Sequence, residues 1–374
     1  MRCVLAPDSF KGSLAAPEVA AAVARGLRRA LPAIELDHCP MADGGEGTLQ
    51  ALAIAGCGQL RETAVHDAEG GLRTVQWLQG DALAVLEVAQ VVGLPDVGDS
   101  RLAERHSGGV GELLGRMLDA GCQRIAVALG GSSTNDGGAG LLAALGGRWL
   151  AEDGSLLPPL PASWPQAVYF DESGLDPRLA TLQLEVWSDV SNPLCGTLGA
   201  SAVFGPQKGL LPQDLSHFDA ALQRLAAALL RQRPGLAPDT PGGGAAGGMG
   251  FALQWLGARQ VSGAEAVAAA NGLAARIGAA DWVITGEGRS DSQTLHGKAP
   301  ALVAQLAREQ GVPVSLLSGA VEDDARLSAA FDGCFSLCPR PATLAEAMQQ
   351  AAPWLEQAAE QMLRLRLAAR RQAC

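Results

Sequence analysis

The chain is 374 residues long, 48% hydrophobic and 18% charged, with a formal net charge of −11. Its length exceeds the roughly 250–300 residues at which single cores stop growing, so two domains are expected, with a cleft between them as the default place for a site. The acidic balance argues against a nucleic-acid partner, and no apolar run approaches the roughly 20 residues that cross a bilayer, so neither nucleic acid nor membrane is expected.

In chain order, the N-terminal stretch Cys3 to Ala6 is too short for a signal peptide and reads as a first strand, which points to a cytoplasmic protein. Val19, Val23, Leu27 and Leu31 then recur at helical spacing, and a second short strand is expected from Ile34 to Cys39. From about Leu60 to Ala89 the period drops to two. Val75 with Trp77 and Leu83 with Val85, separated by turn residues at Gly70-Gly71 and Gly80-Asp81, predict an antiparallel meander. Val110, Leu113, Leu114, Met117 and Leu118 predict an amphipathic helix leading to a buried strand, Ile125 to Leu129, which runs into Gly130-Gly131. Pro158, Pro159, Pro161 and Pro165 predict a surface loop, and Leu184 to Trp187 a strand ending at Ser188-Asp189. Trp282 to Thr285, the helical pattern of Leu302, Val303, Leu306 and Ala307, and Val312 to Leu317 resume strand–helix–strand. The basic residues Arg364, Arg366, Arg370 and Arg371 fit a solvated helix end. Strand–helix alternation therefore opens and closes the chain around a meander. That predicts an α/β fold of two unlike domains: a discontinuous flavodoxin- or Rossmann-like parallel-sheet domain, residues 1–62 and 265–374, with a mixed α/β domain, 63–264, inserted into it.

Basic residues are used unevenly. Of 28, only Lys11, Lys208 and Lys298 are lysines, and each lies in a glycine-containing cluster: Asp8-Ser9-Phe10-Lys11-Gly12-Ser13, Gly205-Pro206-Gln207-Lys208-Gly209 and His296-Gly297-Lys298-Ala299. A chain that uses arginine wherever any cation serves keeps lysine where a compact ammonium is needed, and such cations beside flexible backbone suggest phosphate handling. The alternative is three ordinary lysines on exposed turns.

Four polar clusters fall at strand ends. Asp43-Gly44-Gly45-Glu46-Gly47-Thr48 and Gly130-Gly131-Ser132-Ser133-Thr134-Asn135-Asp136 each precede a helix and suit anions, or else are glycine turns with a capping side chain. Ser188-Asp189-Val190-Ser191-Asn192 fits a metal ligand or a base that accepts a hydroxyl proton. Thr285-Gly286-Glu287-Gly288-Arg289-Ser290-Asp291 alternates acid and base and continues to Lys298. Mg²⁺ held with a nucleotide needs only one or two carboxylates plus phosphate oxygens, so Asp43, Glu46, Asp189, Glu287 and Asp291 are more than sufficient, some of them serving as caps or salt bridges. Gly242-Gly243-Gly244-Ala245-Ala246-Gly247 satisfies G-x-G-x-x-G but follows a proline loop, which points to a packing turn or phosphate-contacting loop and away from a dinucleotide fingerprint. No P-loop motif is present. The eight cysteines and five histidines (His38, His66, His106, His217 and His296) form no zinc pattern; reduced, mostly buried thiols are expected.

Taken together and in one order, Asp8 to Ser13, Ala42 to Thr48, Gly130 to Gly138, Asp189-Val190 with Asn192 to Gly196, Phe204 to Gly209 and Thr285 to Arg289 resemble the bacterial type-1 glycerate kinase family. The resemblance implies ATP-dependent phosphorylation of D-glycerate with Mg²⁺, at the 2-hydroxyl, on two unlike α/β domains. On this reading Asp189 orients or deprotonates the substrate hydroxyl, Lys11 and Lys298 neutralise the phosphate or the substrate carboxylate, and Asp291 acts with them. Mg²⁺ falls to Asp43 and Glu46, or to Asp291 in place of Asp43. The remaining substrate and phosphate contacts fall to Asp8, Ser9, Gly44, Gly45, Gly130, Gly131, Ser132, Thr134, Asn135, Asp136, Asn192, Gln207, Lys208, Glu287 and Arg289. A homodimer is the candidate assembly. One departure is His106-Ser107-Gly108-Gly109-Val110-Gly111, where the family has a hydroxyl-rich run. A metal-dependent phosphate-ester hydrolase and a non-catalytic nucleotide sensor are the alternatives that the same carboxylates allow.

Overall fold

The alternating pattern is realised as two separate sheets in the computed structural model, which describes residues 1–98, 100–167, 169–295 and 297–372. His296 of the third lysine cluster and Cys374 lie outside the described residues. In chain order the strands are β1 (Arg2–Leu5), β2 (Glu35–His38), β3 (Gln59–His66), β4 (Leu72–Gln79), β5 (Ala84–Glu87), β6 (Arg124–Ala128), β7 (Arg148–Leu150), β8 (Tyr169–Asp171), β9 (Gln183–Trp187), β10 (Arg259–Val261), β11 (Trp282–Thr285), β12 (Arg289–Ser290), β13 (Val314–Ser318), β14 (Ala320–Val321) and β15 (Gly333–Ser336).

The first unit comprises residues 1–43, 50–57 and 264 onward, and its sheet has the order β15-β13-β11-β1-β2 with every pairing parallel. Cys3, Val4 and Leu5 are fully buried, as expected of a central parallel strand with no wet face. Helix Ala16–Ala30 presents Val19, Val23 and Leu27 to the same core as Leu355, Ala359 and Leu363 of helix Ala351–Gln372. The two helices meet closely at Gly26, where a Cβ would sit 2.1 Å from the Glu356 carbonyl oxygen. A larger residue there would push the helices apart.

The second unit comprises residues 44–49 and 58–263. Its sheet, β10-β9-β6-β5-β4-β3, is parallel from β10 to β5 and antiparallel at β4 and β3, which are the expected meander. The predicted boundary at 62 falls inside β3. That strand already pairs with β4 at Gln59, because Gln59 to His66 forms one continuous ladder.

The proline-rich connector, predicted as a surface loop, is exposed at Pro158 but turns inward from Pro161. Pro161–Gln166 is a 3-10 turn, started by a proline whose fixed φ suits its first position, and it drives Trp164 into the core at 1% exposure. The turn lies between the two strands of a hairpin, β7 with β8. That hairpin stacks Trp149 on Phe170 with ring centroids 4.6 Å apart, and Trp255 meets Phe170 edge-on at 5.3 Å.

The seven described cysteines are free: Cys3 and Cys39 are buried and the other five half-buried, fewer fully buried than predicted. Burial pushes the Cys39 and Cys195 thiols up to about 12, so neither is poised as a nucleophile. Among the described residues no helix is long and apolar enough to cross a membrane.

Candidate functional site

In the first unit the sheet order places β1 beside β11, and the chain leaves this pair in opposite directions, to β2 on one side and to β13 on the other. Such a switch point opens a crevice at the carboxyl ends of the strands. Three loops converge there. Asp8 N–H donates to the Gly286 carbonyl at 2.8 Å, Met41 N–H donates to the Pro7 carbonyl at 2.9 Å, and Gly288 packs on the backbone of Phe10 and Lys11.

These contacts gather Asp8, Ser9, Lys11, Asp43, Glu287 and Lys298 on one unit. Asp8 Oδ1 accepts from the Ser9 N–H at 2.6 Å. Burial, then the neighbouring Asp43 charge, push the Asp8 carboxyl up to about 7, against the opposing pull of Ser9 N–H and Lys11. Lys11 Nζ lies 3.6 Å from Asp43 Oδ2 with its side chain 84% exposed. An ion pair so exposed is worth about 0–1 kcal/mol, so the ammonium is readily drawn to a more highly charged partner.

Glu287 is buried in a cage of hydroxyls. Its Oε1 accepts from Thr294 Oγ1 at 2.6 Å and from Ser290 Oγ at 3.3 Å, and its Oε2 faces Lys298 Nζ at 3.5 Å. Glu287 thus aims Lys298, which sits just before helix Ala299–Glu309. Asp291 and Arg289 are tied to local structure. Asp291 Oδ1 accepts from Gln293 N–H at 2.8 Å, while the exposed Arg289 pairs with Glu322 and lies 3.9 Å from Asp291.

The second unit builds its own polar rim at the carboxyl ends of β5, β6 and β9. The turn starting at Gly44 crosses these ends at very short range: Gly130 N–H donates to the Gly44 carbonyl at 3.2 Å, and a Cβ on Gly44 would lie 2.8 Å from the Trp187 carbonyl oxygen. Gly44 also has φ +82°, open only to glycine without strain. A Cβ on Gly130 would sit 2.5 Å from Gly45 Cα. Asp189 follows β9, is exposed, and accepts from Gly263 N–H at 2.9 Å. Asn192 donates to the Leu198 carbonyl at 2.9 Å, and Glu46, Gly131 and Gln207 are exposed.

Other residues of these motifs lie beneath the rim. Asp136 is fully buried: its Oδ2 accepts from Ser107 N–H and Oγ at 2.7 Å each and from Gly140 N–H at 3.1 Å, its Oδ1 from Gly138 N–H at 3.2 Å. Four donors leave it a framework carboxylate, and they include Ser107 of the departing run. Asn135 donates to Ser201 Oγ at 2.9 Å, and Thr134 is fully buried beside it. Lys208 is buried too, donating to Ser132 Oγ at 3.0 Å and to the Thr134 carbonyl at 2.7 Å. The Gly242–Gly247 stretch is the packing turn: Cβ atoms on Gly244 and Gly247 would lie 2.2 Å from the Pro193 oxygen and 2.0 Å from the Thr134 oxygen.

Burial drives the Lys208 ammonium from its ordinary 10.5 down to about 7, with Asp136 opposing. The folded state then holds fewer protons than the unfolded state between those two values, so stability rises with pH across that window. Relative to Lys208→Met, the wild-type protein is expected to gain on the order of 1–3 kcal/mol between pH 7 and 9. Denaturant melts of both proteins at the two pH values check this; equal pH responses would show that Lys208 stays charged.

Sequence reasoning missed Glu87. It lies at the end of β5, fully buried, and accepts from Leu49 N–H at 2.6 Å. The available signal was a single acid inside the apolar run Ala84-Val85-Leu86-Glu87-Val88.

Among the described residues no group of three or more His, Cys, Asp or Glu side chains is arranged to hold a metal. The donor set nevertheless suits Mg²⁺ carried in with a polyphosphate, which takes one or two protein carboxylates. Asp8 and Asp43 are close enough for the charge of one to raise the other, and two neighbouring carboxylates favour a cation beyond the single exposed Lys11 ammonium. A hollow of about 430 Å³ lies at the opposite, amino end of β5, β6 and β9, lined by Asp81, Gln123 and Gln183 among others.

The sequence profile described as "Glycerate kinase family" matches residues 3–367. The chain is 41% identical over 373 residues to a glycerate kinase of Bacillus subtilis (strain 168), covering 96% of each chain. It is 40% identical over 362 residues to a glycerate 2-kinase of Escherichia coli (strain K12), covering 94% of each. A crystal structure assigned as glycerate kinase 2 from Salmonella typhimurium LT2 superimposes with a TM-score of 0.88 at 39% identity, over 99% of each chain.

Proposed function

This chain belongs to the glycerate kinase family, and we propose that it transfers the γ-phosphoryl group of ATP to the 2-hydroxyl of D-glycerate, giving 2-phosphoglycerate and ADP. The observation that carries this reading is the set of lysine–carboxylate pairs, Lys11 with Asp43 and Lys298 with Glu287, on loops at the switch point of a parallel sheet. Phosphoryl transfer asks a protein for positioning and charge neutralisation, and these are the groups that supply both.

Asp189 accepts the proton of the substrate hydroxyl as the new bond to phosphorus forms. Lys11 and Lys298 neutralise the transferring phosphoryl group and the substrate carboxylate, with Asp291 and Arg289 shaping the loop that bears Lys298. Asp43, Asp8 and Glu46 are the carboxylates that would hold Mg²⁺. The ion supplies charge neutralisation to the phosphates when bound. Backbone N–H groups of the Gly44-Gly45 and Gly130-Gly131 turns, with Ser9, Ser132, Asn192 and Gln207, contact phosphate and substrate oxygens. Thr134, Asn135, Asp136 and Lys208 hold the second of these turns in shape. The free thiols fit the reducing cytoplasm, the compartment proposed for the reaction.

Coupled detection of ADP tests the reading: release should require both Mg·ATP and D-glycerate. ADP formed equally without D-glycerate, or phosphate cleaved from a phosphate ester without ATP, would point to a hydrolase. Asp43→Asn is expected to raise the Mg²⁺ concentration for half-maximal activity by at least roughly tenfold. An unchanged Mg²⁺ titration would remove Asp43 from the metal site.

A further inference from the structure

We propose that Glu87 is a positioning residue for phosphoryl transfer: its buried carboxyl holds the Gly44–Leu49 turn across the strand ends of the second sheet. The proposal rests on the glycerate kinase reading above.

Glu87 is the last residue of β5, opposite Ala128 of β6, and is fully buried with Leu86, Val88, Val91 and Val92 around it in the chain. Its Oε1 accepts from Leu49 N–H at 2.6 Å. A carboxyl in so dry a place is costly, and a passive core position would be better filled by an apolar side chain. Burial pushes this carboxyl up to about 7, with the Glu46 charge adding, while the N–H groups of Leu49 and Gly47 and the Gln90 side chain oppose it. Three of those four groups, Glu46, Gly47 and Leu49, belong to the turn.

The turn is pinned at its other end by the Gly130 N–H bond to Gly44. The segment beginning at Glu87 also supports the second glycine turn. Ala89 packs on Gly131, Leu94 N–H donates to the Gly131 carbonyl at 2.9 Å, and Ser133 N–H donates to the Val92 carbonyl at 2.8 Å. One short stretch therefore supports both turns assigned to phosphate, and its link to the first is the Glu87 carboxyl.

Two variants separate positioning from simple stability. Glu87→Gln keeps a carbonyl oxygen for Leu49, whereas Glu87→Met keeps the volume and removes the acceptor. Glu87→Met is expected to lose roughly 10²-fold in kcat/KM, the scale of a small misplacement of reacting groups, with Glu87→Gln within a few-fold of wild type. Hydrogen exchange of the 44–49 amides should quicken in Glu87→Met alone. Full kcat/KM in a folded Glu87→Met protein would overturn the proposal, as would a Glu87→Gln protein equally impaired. The wild-type chain supplies a readout that needs no variant: Leu49 N–H should exchange slowest among 44–49, and rapid exchange there would also overturn it. If wild type itself makes no ADP with D-glycerate, the kinase reading fails, and the exchange data still decide whether Glu87 holds the turn.

Discussion

Replacing Asp189 by asparagine is expected to lower kcat by roughly 10²–10⁴-fold while leaving the protein folded, the range for loss of a positioned general base. Asp189 stands just beyond the carboxyl end of β9, its Oδ1 bonded to Gly263 N–H at 2.9 Å. Asparagine retains an oxygen for that bond, so the loop keeps its shape. It cannot take up a proton. The loss should therefore fall on kcat, with KM for ATP little changed, because the base acts as the hydroxyl attacks. Steady-state kinetics beside a thermal melt check both halves, and turnover within tenfold of wild type in a folded protein would assign the proton to another group.

Lys298→Ala should cost roughly 10²–10³-fold in turnover, the scale of removing one charge contact made in the transition state. Here structure and chemistry are entangled. The ammonium lies 3.5 Å from Glu287, a buried carboxylate, and removing it strands that charge. A fall in melting temperature is therefore expected as well. The double variant Lys298→Ala/Glu287→Gln discharges the stranded acid and should recover stability without recovering activity. Lys298→Arg should stay impaired, since a planar fork does not reproduce a compact ammonium. Recovery of turnover in the double variant would reduce Lys298 to a structural counter-ion.

Much of the fold was legible because its signals are local. The continuous apolar runs at Cys3 to Leu5 and Trp282 to Ile284 announce parallel strands buried on both faces, and the period-two pattern from Leu60 announces the meander that forms β3, β4 and β5. Helix Leu215–Gln232 carries the same kind of local signal in Phe218, Leu222, Leu225 and Leu229. The proline connector misled because composition describes backbone preference and says nothing of where Trp164 will pack.

In the candidate site, loop composition identified the strand ends but not which side chains face outward. Asp136 and Asp189 look alike in sequence, each an acid after a strand beside an asparagine or serine. Four donors enclose the first, whereas the second is exposed. Lys11 and Lys208 differ in the same way: one is 84% exposed, the other wholly committed to Ser132 and Thr134. Such differences arise from tertiary packing around the loop, which no local pattern encodes. Glu87 was hidden for the converse reason, since the Leu49 N–H it accepts from lies 38 residues earlier.

Phosphorus NMR of the reaction of this protein with Mg·ATP and D-glycerate tests the central claim most directly. The predicted result is 2-phosphoglycerate accumulating in step with ADP, and neither forming when D-glycerate is omitted. Accumulation of 3-phosphoglycerate instead, or ADP with inorganic phosphate and no phosphoglycerate, would contradict it.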